Sequence, residues 1–161
     1  MRPLQHLAPF ALGAALVLLT GAALQQQPGA PARARQEQQQ QMPVEYINNG
    51  RILSSAVRAG TTLYLSGQLG TSGERGIGPE TRTALGRVKT LLEDNGATMD
   101  DVVKCTVFLA DFAEWGAMNE VYTTFFQKHR PTRSAVAVSG LSGDARVEIE
   151  CTAVMGARNA D

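Results

Sequence analysis

The sequence contains few of the residues on which metal centres and catalytic triads depend. Among 161 residues there are two histidines, His6 and His129, and two cysteines, Cys105 and Cys151. No pair of these residues has zinc-ligand spacing, and neither an HExxH nor a CxxC motif occurs. We therefore expect no histidine-centred metal site and no Ser–His–Asp triad.

The chain also lacks an excess of charge of either sign. Its 15 Lys and Arg residues balance its 15 Asp and Glu residues, and 12 basic and 13 acidic residues follow from Tyr46 onward. Nucleic-acid-binding proteins usually gather basic residues into one stripe, because phosphate contacts supply most of their affinity. We expect no direct binding of nucleic acid. The glycine-rich segment 70–78 is neither a P-loop nor a GxGxxG motif, and it is predicted to be a flexible loop after a strand.

The first 24 residues have the layout of a signal peptide. Arg2 precedes an apolar stretch without charge from Leu7 to Leu24, and small residues suited to cleavage end at Ala23. This stretch is at the short end of what spans a bilayer, so an uncleaved membrane anchor is the alternative. Both interpretations predict a periplasmic or secreted protein, which contacts the membrane only if the segment is retained.

The rest of the chain divides into a linker, one domain and a short tail. Residues 25–42 are rich in Gln, Pro, Ala and Arg without apolar periodicity, which predicts a disordered linker. Residues 43–157 have the pattern of a single globular domain, and residues 158–161 form a tail.

Local patterns predict a β-β-α-β-α-β-β order for the domain. A helix is predicted to open at Pro79 and to end at Asn95, and a second is predicted to be capped by Asp111, with Glu114 in a capping box. The predicted strands are Ile52–Arg58, Thr62–Gln68, Val102–Leu109, Ser134–Ser139 and Arg146–Met155.

Each helix has one apolar stripe, which predicts that both helices cover one face of a single sheet. The other face is then uncovered in a single chain. Its residues are too apolar for free solvent and too polar for a core: Thr62, Tyr64, Lys104, Thr106, Phe108, Glu148 and Glu150. This mixture predicts a subunit interface that contains a functional cleft.

Seven short segments of the domain match, in order, those of a known family. They are Ala56–Gly60, Leu65–Gln68, Asp100–Leu109, Met118–Tyr122, Phe125–Phe126, Pro131–Ser134 and Val147–Glu150. Through them the sequence resembles the RidA/YjgF family of reactive-intermediate deaminases over residues 45–157. The resemblance implies a chorismate-mutase-like α+β fold and a homotrimer with three sites in the clefts between subunits. It also implies hydrolysis of small enamines and imines to 2-keto acids and ammonia, without a metal or organic cofactor.

The resemblance assigns two catalytic residues. Arg133 matches the family arginine that holds the substrate carboxylate, and a planar guanidinium can donate two parallel hydrogen bonds to that group. Glu148 matches the family glutamate near the imine carbon, where a carboxylate can position a water molecule and accept its proton. The alternatives are an ordinary surface arginine and a strand-face acid paired with Lys104 or Arg146, and Glu150 is a competing choice for the catalytic acid.

Other matched positions concern substrate binding. Ser66 and Gly67 match residues whose hydroxyl or backbone lines the pocket, and Asn119 matches a nearby position, although it can equally be a helix-surface residue. Leu53 stands where the family has a pocket tyrosine, and Ala135 stands where many members have cysteine or a larger residue. Loss of the phenol removes a hydrogen-bond donor and makes the pocket more apolar.

The resemblance also places Cys105 and Cys151 on adjacent strands, both facing the helices. A disulfide is possible in an oxidising compartment, but a pair of buried thiols is the commoner arrangement and is favoured here.

Two functions from different classes follow. The first is an exported deaminase whose partners are small imines, enamines or 2-keto acids. The second is a trimer of the same fold without catalytic activity, which binds small carboxylates or acts as a protective holdase. Arg133 and Glu148 favour the enzyme, whereas Leu53 and the compartment favour the binder.

Overall fold

The computed structural model describes residues 42–71 and 73–156. The predicted signal segment, nearly all of the predicted linker and the tail lie outside the described residues. Within the described ranges, no helix is both long enough and apolar enough to cross a membrane.

One sheet of seven strands and two helices make up the domain. The strands are β1 (Val44–Ile47), β2 (Ala56–Ala59), β3 (Thr62–Leu65), β4 (Gln68–Leu69), β5 (Val102–Leu109), β6 (Thr132–Ala137) and β7 (Val147–Val154). The helices are α1 (Ile77–Glu93) and α2 (Trp115–Phe125).

The last strand of the chain lies in the middle of the sheet. The strand order is β1-β2-β3-β7-β5-β6, and β4 also pairs with β7, next to β3. All neighbours are antiparallel except β5 and β6, which are parallel and are connected through α2. Strand β6 is therefore an edge strand, whereas β7 is paired on both sides.

Both helices pack on the same face of the sheet, which confirms the predicted α+β architecture. The residues of β7 alternate in burial, so that Val147 and Ile149 are fully buried under the helices and Glu148 and Glu150 lie on the other face. The main core residues come from β3, α1, β5, α2 and β7: Leu63, Leu85, Val88, Leu92, Val107, Leu109, Met118, Val147 and Ile149. On the uncovered face, Tyr64 is 51% exposed.

Two short strands were not predicted. Strand β1 has four residues and is mostly exposed at the sheet edge, and β4 has only two residues, so neither has a recognisable alternating pattern. The predicted strand from Ile52 is wrong for its first four residues, because Ile52 is 94% exposed in a loop and β2 begins at Ala56. The predicted hairpin is confirmed, with Gly60 at a φ of 60° in the turn.

The capping of the second helix differs from the prediction in part. The carboxylate of Asp111 accepts a hydrogen bond from the Ala113 backbone N–H at 2.9 Å, as a cap should, but it caps a short 3₁₀ turn that precedes α2. The predicted capping box at Glu114 is wrong, because its carboxylate accepts hydrogen bonds from Arg146 instead.

Cys105 and Cys151 are directly opposed in the β5–β7 ladder and are joined by a disulfide. Their Cα atoms are 4.1 Å apart, and both residues are buried beneath the helices. The preference for free thiols drawn from the sequence is therefore wrong. The disulfide connects β5 and β7, which form the longest ladder of paired residues in the sheet.

Candidate active site

Glu148 lies on the uncovered face of β7, and its side chain rests on the backbone of Gly67. Its ladder partners are Phe108 in β5 and Leu69 in β4. A Cβ atom at residue 67 would lie 2.0 Å from Oε1 of Glu148, so any other residue there would displace the carboxylate. Glycine is required here for the close approach of a side chain to the backbone.

The carboxylate of Glu148 is not part of a structural ion pair. It makes no hydrogen bond or ion pair with any described residue. Arg146, one of its two predicted alternative partners, binds Glu114, and no contact joins Glu148 to Lys104. The carboxylate is therefore free to accept a proton or to hold a water molecule.

Ser66, next to Gly67, is fixed by the loop that precedes β2. Its hydroxyl donates to the Ser54 carbonyl at 2.7 Å, and its backbone N–H donates to the Ser55 carbonyl at 3.0 Å. Leu53, which is 61% exposed, immediately precedes Ser54. We call Leu53, Ser66, Gly67 and Glu148 the glutamate half-site.

Arg133 lies on the opposite face of the sheet. It is paired with Cys105 in the β5–β6 ladder and, like that residue, faces the helices. Its guanidinium carbon is 4.5 Å from the centre of the Tyr122 ring and 5.9 Å from the centre of the Trp115 ring. Such cation–π contacts contribute about 0.5–2 kcal/mol each, and they hold the guanidinium by its faces while its N–H edge stays able to bind a carboxylate.

Arg133 opens on a cavity of about 210 Å³, which we call the arginine pocket. Two of the predicted binding residues, Asn119 and Arg133, line it. The complete lining is Asn119, Tyr122, Thr123, Phe126, Arg130, Pro131 and Arg133. None of them is acidic, and Arg133 makes no ion pair with any described residue. Among the described residues, no group of three or more His, Cys, Asp or Glu side chains is placed to hold a metal ion.

Tyr122 supplies the aromatic surface under Arg133. Its hydroxyl is buried and has no hydrogen-bond partner in the described part of the chain. Burial raises the pKa of Tyr122 to about 12, and the positive charge of Arg133 opposes that rise. The side chain is therefore a neutral phenol at physiological pH. This role of Tyr122 was not predicted, although its seven-residue spacing from Trp115 places both rings on one stripe of α2.

Glu80 positions the start of β7, a role that was not predicted from the sequence. Glu80 in α1 is fully buried, and its carboxylate accepts hydrogen bonds from the backbone N–H groups of Gly76 at 3.3 Å and Arg146 at 2.8 Å. Arg75 lies 3.3 Å away and balances its charge. Because Arg146 is two residues before Glu148, the contact fixes the strand that carries the catalytic candidate.

The predicted site residues thus form two groups that one chain does not bring together. Ser66 and Gly67 accompany Glu148 on one side of the sheet, with Leu53 in the loop to which Ser66 is hydrogen-bonded, whereas Asn119 lines the pocket of Arg133 on the other. The competing acid Glu150 shares the face of Glu148 and lines a smaller cavity of about 160 Å³ with Lys104. The two predicted catalytic residues, Arg133 and Glu148, therefore lie on opposite faces of the sheet, on strands separated by β5.

The sequence matches characterised proteins over most of the domain. The family model described as Endoribonuclease L-PSP matches residues 48–155. A 2-iminobutanoate/2-iminopropanoate deaminase of Dermatophagoides farinae is 43% identical over 108 residues, which are 63% of this chain and 84% of that protein. The protein of the same name from Mus musculus is 41% identical over 109 residues, 64% of this chain and 81% of that protein.

Solved structures agree with the fold. A YjgF-family protein from Neisseria meningitidis has a TM-score of 0.67 and 28% identity, with 74% of this chain and 98% of that chain covered. A member of the YjgF/YER057c/UK114 family from Mycobacterium tuberculosis has a TM-score of 0.64 and 30% identity, with 70% and 100% covered. Because the family model spans more than half of the sequence and the relatives are matched over most of their length, this chain belongs to the Endoribonuclease L-PSP family, the YjgF/RidA family.

Proposed function

We propose that this protein is a deaminase that hydrolyses small 2-imino acids, and the enamines that tautomerise to them, to 2-keto acids and ammonia. The relatives named above carry that activity in their names. The observation that carries the proposal is that Arg133 and Glu148 both keep charged groups without an oppositely charged partner among the described residues.

The proposed site forms between two copies of the chain in a homotrimer. One copy contributes the arginine pocket and its neighbour contributes the glutamate half-site. Two features support this arrangement. Arg133 lies on the edge strand β6, where another copy can approach it. On the uncovered face, the apolar residues Tyr64 and Val136 are 51% and 43% exposed. A closed trimer gives each of the three interfaces the same pair of half-sites.

The reaction needs binding of one carboxylate and transfer of protons. Arg133 binds the substrate carboxylate through charge-assisted hydrogen bonds worth about 1.5–3 kcal/mol each. Glu148 of the neighbouring copy takes a proton from water while the water oxygen attacks the imine carbon, and the C=N electron pair moves to nitrogen. Glu148 then returns a proton to that nitrogen. Glu148 next takes the hydroxyl proton of the resulting carbinolamine and passes it to the amine nitrogen while the C–N bond breaks, so the water oxygen becomes the keto oxygen and ammonia leaves.

We also propose that the domain works outside the cytoplasm. The support comes from the charged start and apolar run of residues 1–24 and from the buried Cys105–Cys151 disulfide, since disulfides persist in oxidising compartments. Cell fractionation, with sequencing of the mature N-terminus, tests this. Recovery of the full-length chain with reduced cysteines from the cytoplasm would refute it.

The family description also names an endoribonuclease, which we do not propose for this chain. Binding to RNA depends on phosphate contacts by basic residues, and the domain is nearly balanced in charge. The better-supported second candidate is a trimer that binds small carboxylates without turnover. Leu53 favours it, because an aliphatic side chain stands where the resemblance implies a phenol, and it offers no hydrogen-bond donor.

Ammonia release decides between the two candidates. Imines are generated in place by an L-amino-acid oxidase, and ammonia and 2-keto acid are followed with and without the purified protein. We expect acceleration by the wild type, and a loss of about 30- to 1000-fold in kcat/KM for Arg133→Lys. Lysine keeps the charge but loses the second hydrogen bond and its geometry, about 2–4 kcal/mol in all. Arg82→Lys, on the exposed face of α1, is the matched control. Binding of 2-keto acids without any acceleration would identify the non-catalytic binder.

A further inference from the structure

A second arginine lines the pocket that contains Arg133. Arg130 is three residues earlier in the chain, and both border the cavity of about 210 Å³. Arg130 makes no hydrogen bond or ion pair with any described residue, and no acidic side chain lines the cavity. Two arginines thus border one small cavity that no carboxylate of the same copy lines.

The local sequence restricts where Arg130 can go. Pro131 follows it directly, and the residue before a proline is held in an extended conformation. Thr132 then begins β6, where its hydroxyl donates to the Val103 carbonyl at 3.0 Å. Both ends of this short segment are therefore fixed, by α2 on one side and by the sheet on the other. The position of Arg130 at the pocket follows from the backbone and does not depend on an ion pair.

The size and walls of the pocket suit a small dianion. At about 30 Å³ for each water molecule in the liquid, the cavity of about 210 Å³ has room for about seven waters. Tyr122, Phe126 and Pro131 give it apolar walls for a short carbon chain. A monocarboxylic 2-imino acid would use Arg133 alone and would leave Arg130 without a counter-charge.

We infer that the arginine pocket binds dicarboxylates, with Arg133 on the carboxylate beside the reacting carbon and Arg130 on the distal carboxylate. The substrate class is then the 2-imino acid derived from an acidic amino acid. The statement about substrates rests on the proposed function, whereas the statement about binding does not, because the 2-keto acid product can be bound without turnover. Since Arg130 is exposed, we expect a preference of about two- to fivefold for the dicarboxylate.

Calorimetric titration with two 2-keto acids tests the binding. The probes are 2-oxoglutarate, which has a distal carboxylate, and 2-oxobutanoate, which has none. The wild type should bind 2-oxoglutarate about two- to fivefold more tightly than 2-oxobutanoate, and added salt should reduce the preference. Arg130→Gln should bring the two affinities close together, chiefly by weakening 2-oxoglutarate, whereas Arg133→Gln should weaken both. Arg82→Gln removes an equally exposed positive charge on α1, outside the pocket, and should preserve the preference.

Three results would overturn the inference. The first is that the wild type binds the two acids equally well. The second is that Arg130→Gln keeps the preference for 2-oxoglutarate. The third is that Arg82→Gln loses as much of the preference as Arg130→Gln does, which would indicate a general effect of charge. The ammonia assay keeps this test separate from the proposed function. A preference for dicarboxylates without any deamination would support the binding inference and refute the proposed deaminase. Deamination of monocarboxylic imines without any preference in binding would support the deaminase and refute the binding inference.

Discussion

Mixing two inactive variants tests whether the active site is shared between copies. Arg133→Gln destroys the arginine pocket but keeps Glu148, and Glu148→Gln keeps the pocket but removes the proton acceptor. Each variant alone should have little activity, because every interface of its trimer contains the same defect. A mixed trimer is different. Where an Arg133-containing copy meets a neighbour that still has Glu148, both half-sites are intact.

The size of the recovery follows from counting interfaces. In an equal, random mixture, half of the copies supply an intact arginine pocket and half supply an intact glutamate half-site. Each interface uses one half-site from each of two copies, so about a quarter of the interfaces are complete. We therefore expect recovery of about a quarter of the wild-type rate of ammonia release, far above either variant alone.

The mixture is made by unfolding and refolding the two variants together, or by expressing them in one cell. Native mass spectrometry confirms that mixed trimers form. Glu148→Gln mixed with Glu148→Ala is the control, because both variants damage the same half-site and no complete interface can arise. Mixed trimers without recovery would show that the site is not divided between copies as proposed. Light scattering that gives a stable monomer would refute the trimer itself.

Three further substitutions test individual contacts. Glu148→Gln should lower kcat by about 100-fold or more with little change in the binding of 2-keto acids, since the amide can hold water but cannot take its proton. Equal losses in kcat and in binding affinity would refute the role of Glu148 as a base. Tyr122→Phe should keep the ring under Arg133 while it removes the unpartnered hydroxyl, so the melting temperature should stay the same or rise. The pKa of Tyr122 is raised in the folded state. Its contribution to the free energy of unfolding is therefore present below pH 10 and is lost as the pH rises toward about 12. Tyr122→Phe should abolish this loss, which alkaline unfolding measures. Replacing Cys105 and Cys151 together with alanine opens a loop with a sequence separation of 46 and should lower the free energy of unfolding by about 2–4 kcal/mol, whereas a reducing agent should then have no further effect.

Much of the fold could be predicted because its signals are local. The apolar stripe of α1 and the long central strands β5 and β7 each extend over enough residues to establish a period. Strands β1 and β4 were missed because their short runs acquire strand geometry only from pairing with neighbours. The loop around Ile52 was wrongly predicted as part of a strand, since its apolar residues are exposed in a single copy and pair with no neighbouring strand.

The division of the site could not be predicted from spacing. Arg133 and Glu148 are 15 positions apart in the sequence, and nothing local indicates that β6 lies at the edge while β7 enters the middle of the sheet. The stacking of Arg133 on Tyr122 likewise depends on the connection from β5 through α2 to β6, which brings the helix over that edge. Both facts are properties of the topology. The resemblance identified the candidate site residues, and the sheet topology determines which of them lie on the same face.

The two half-sites differ in what they can contribute, and this difference bears on specificity. In the glutamate half-site, Gly67 has no side chain, Leu53 has no polar group and the Ser66 hydroxyl is already engaged as a donor. Its one uncommitted charged group is the carboxylate of Glu148, to which we assign the proton transfer. The arginine pocket, by contrast, offers the donors of Arg133, Asn119 and Arg130. In the proposed trimer, recognition of the substrate would therefore belong mainly to one copy and proton transfer to its neighbour. On this basis, replacement of the phenol by Leu53 need not abolish activity, because the groups that bind the carboxylate lie on the other side of the interface.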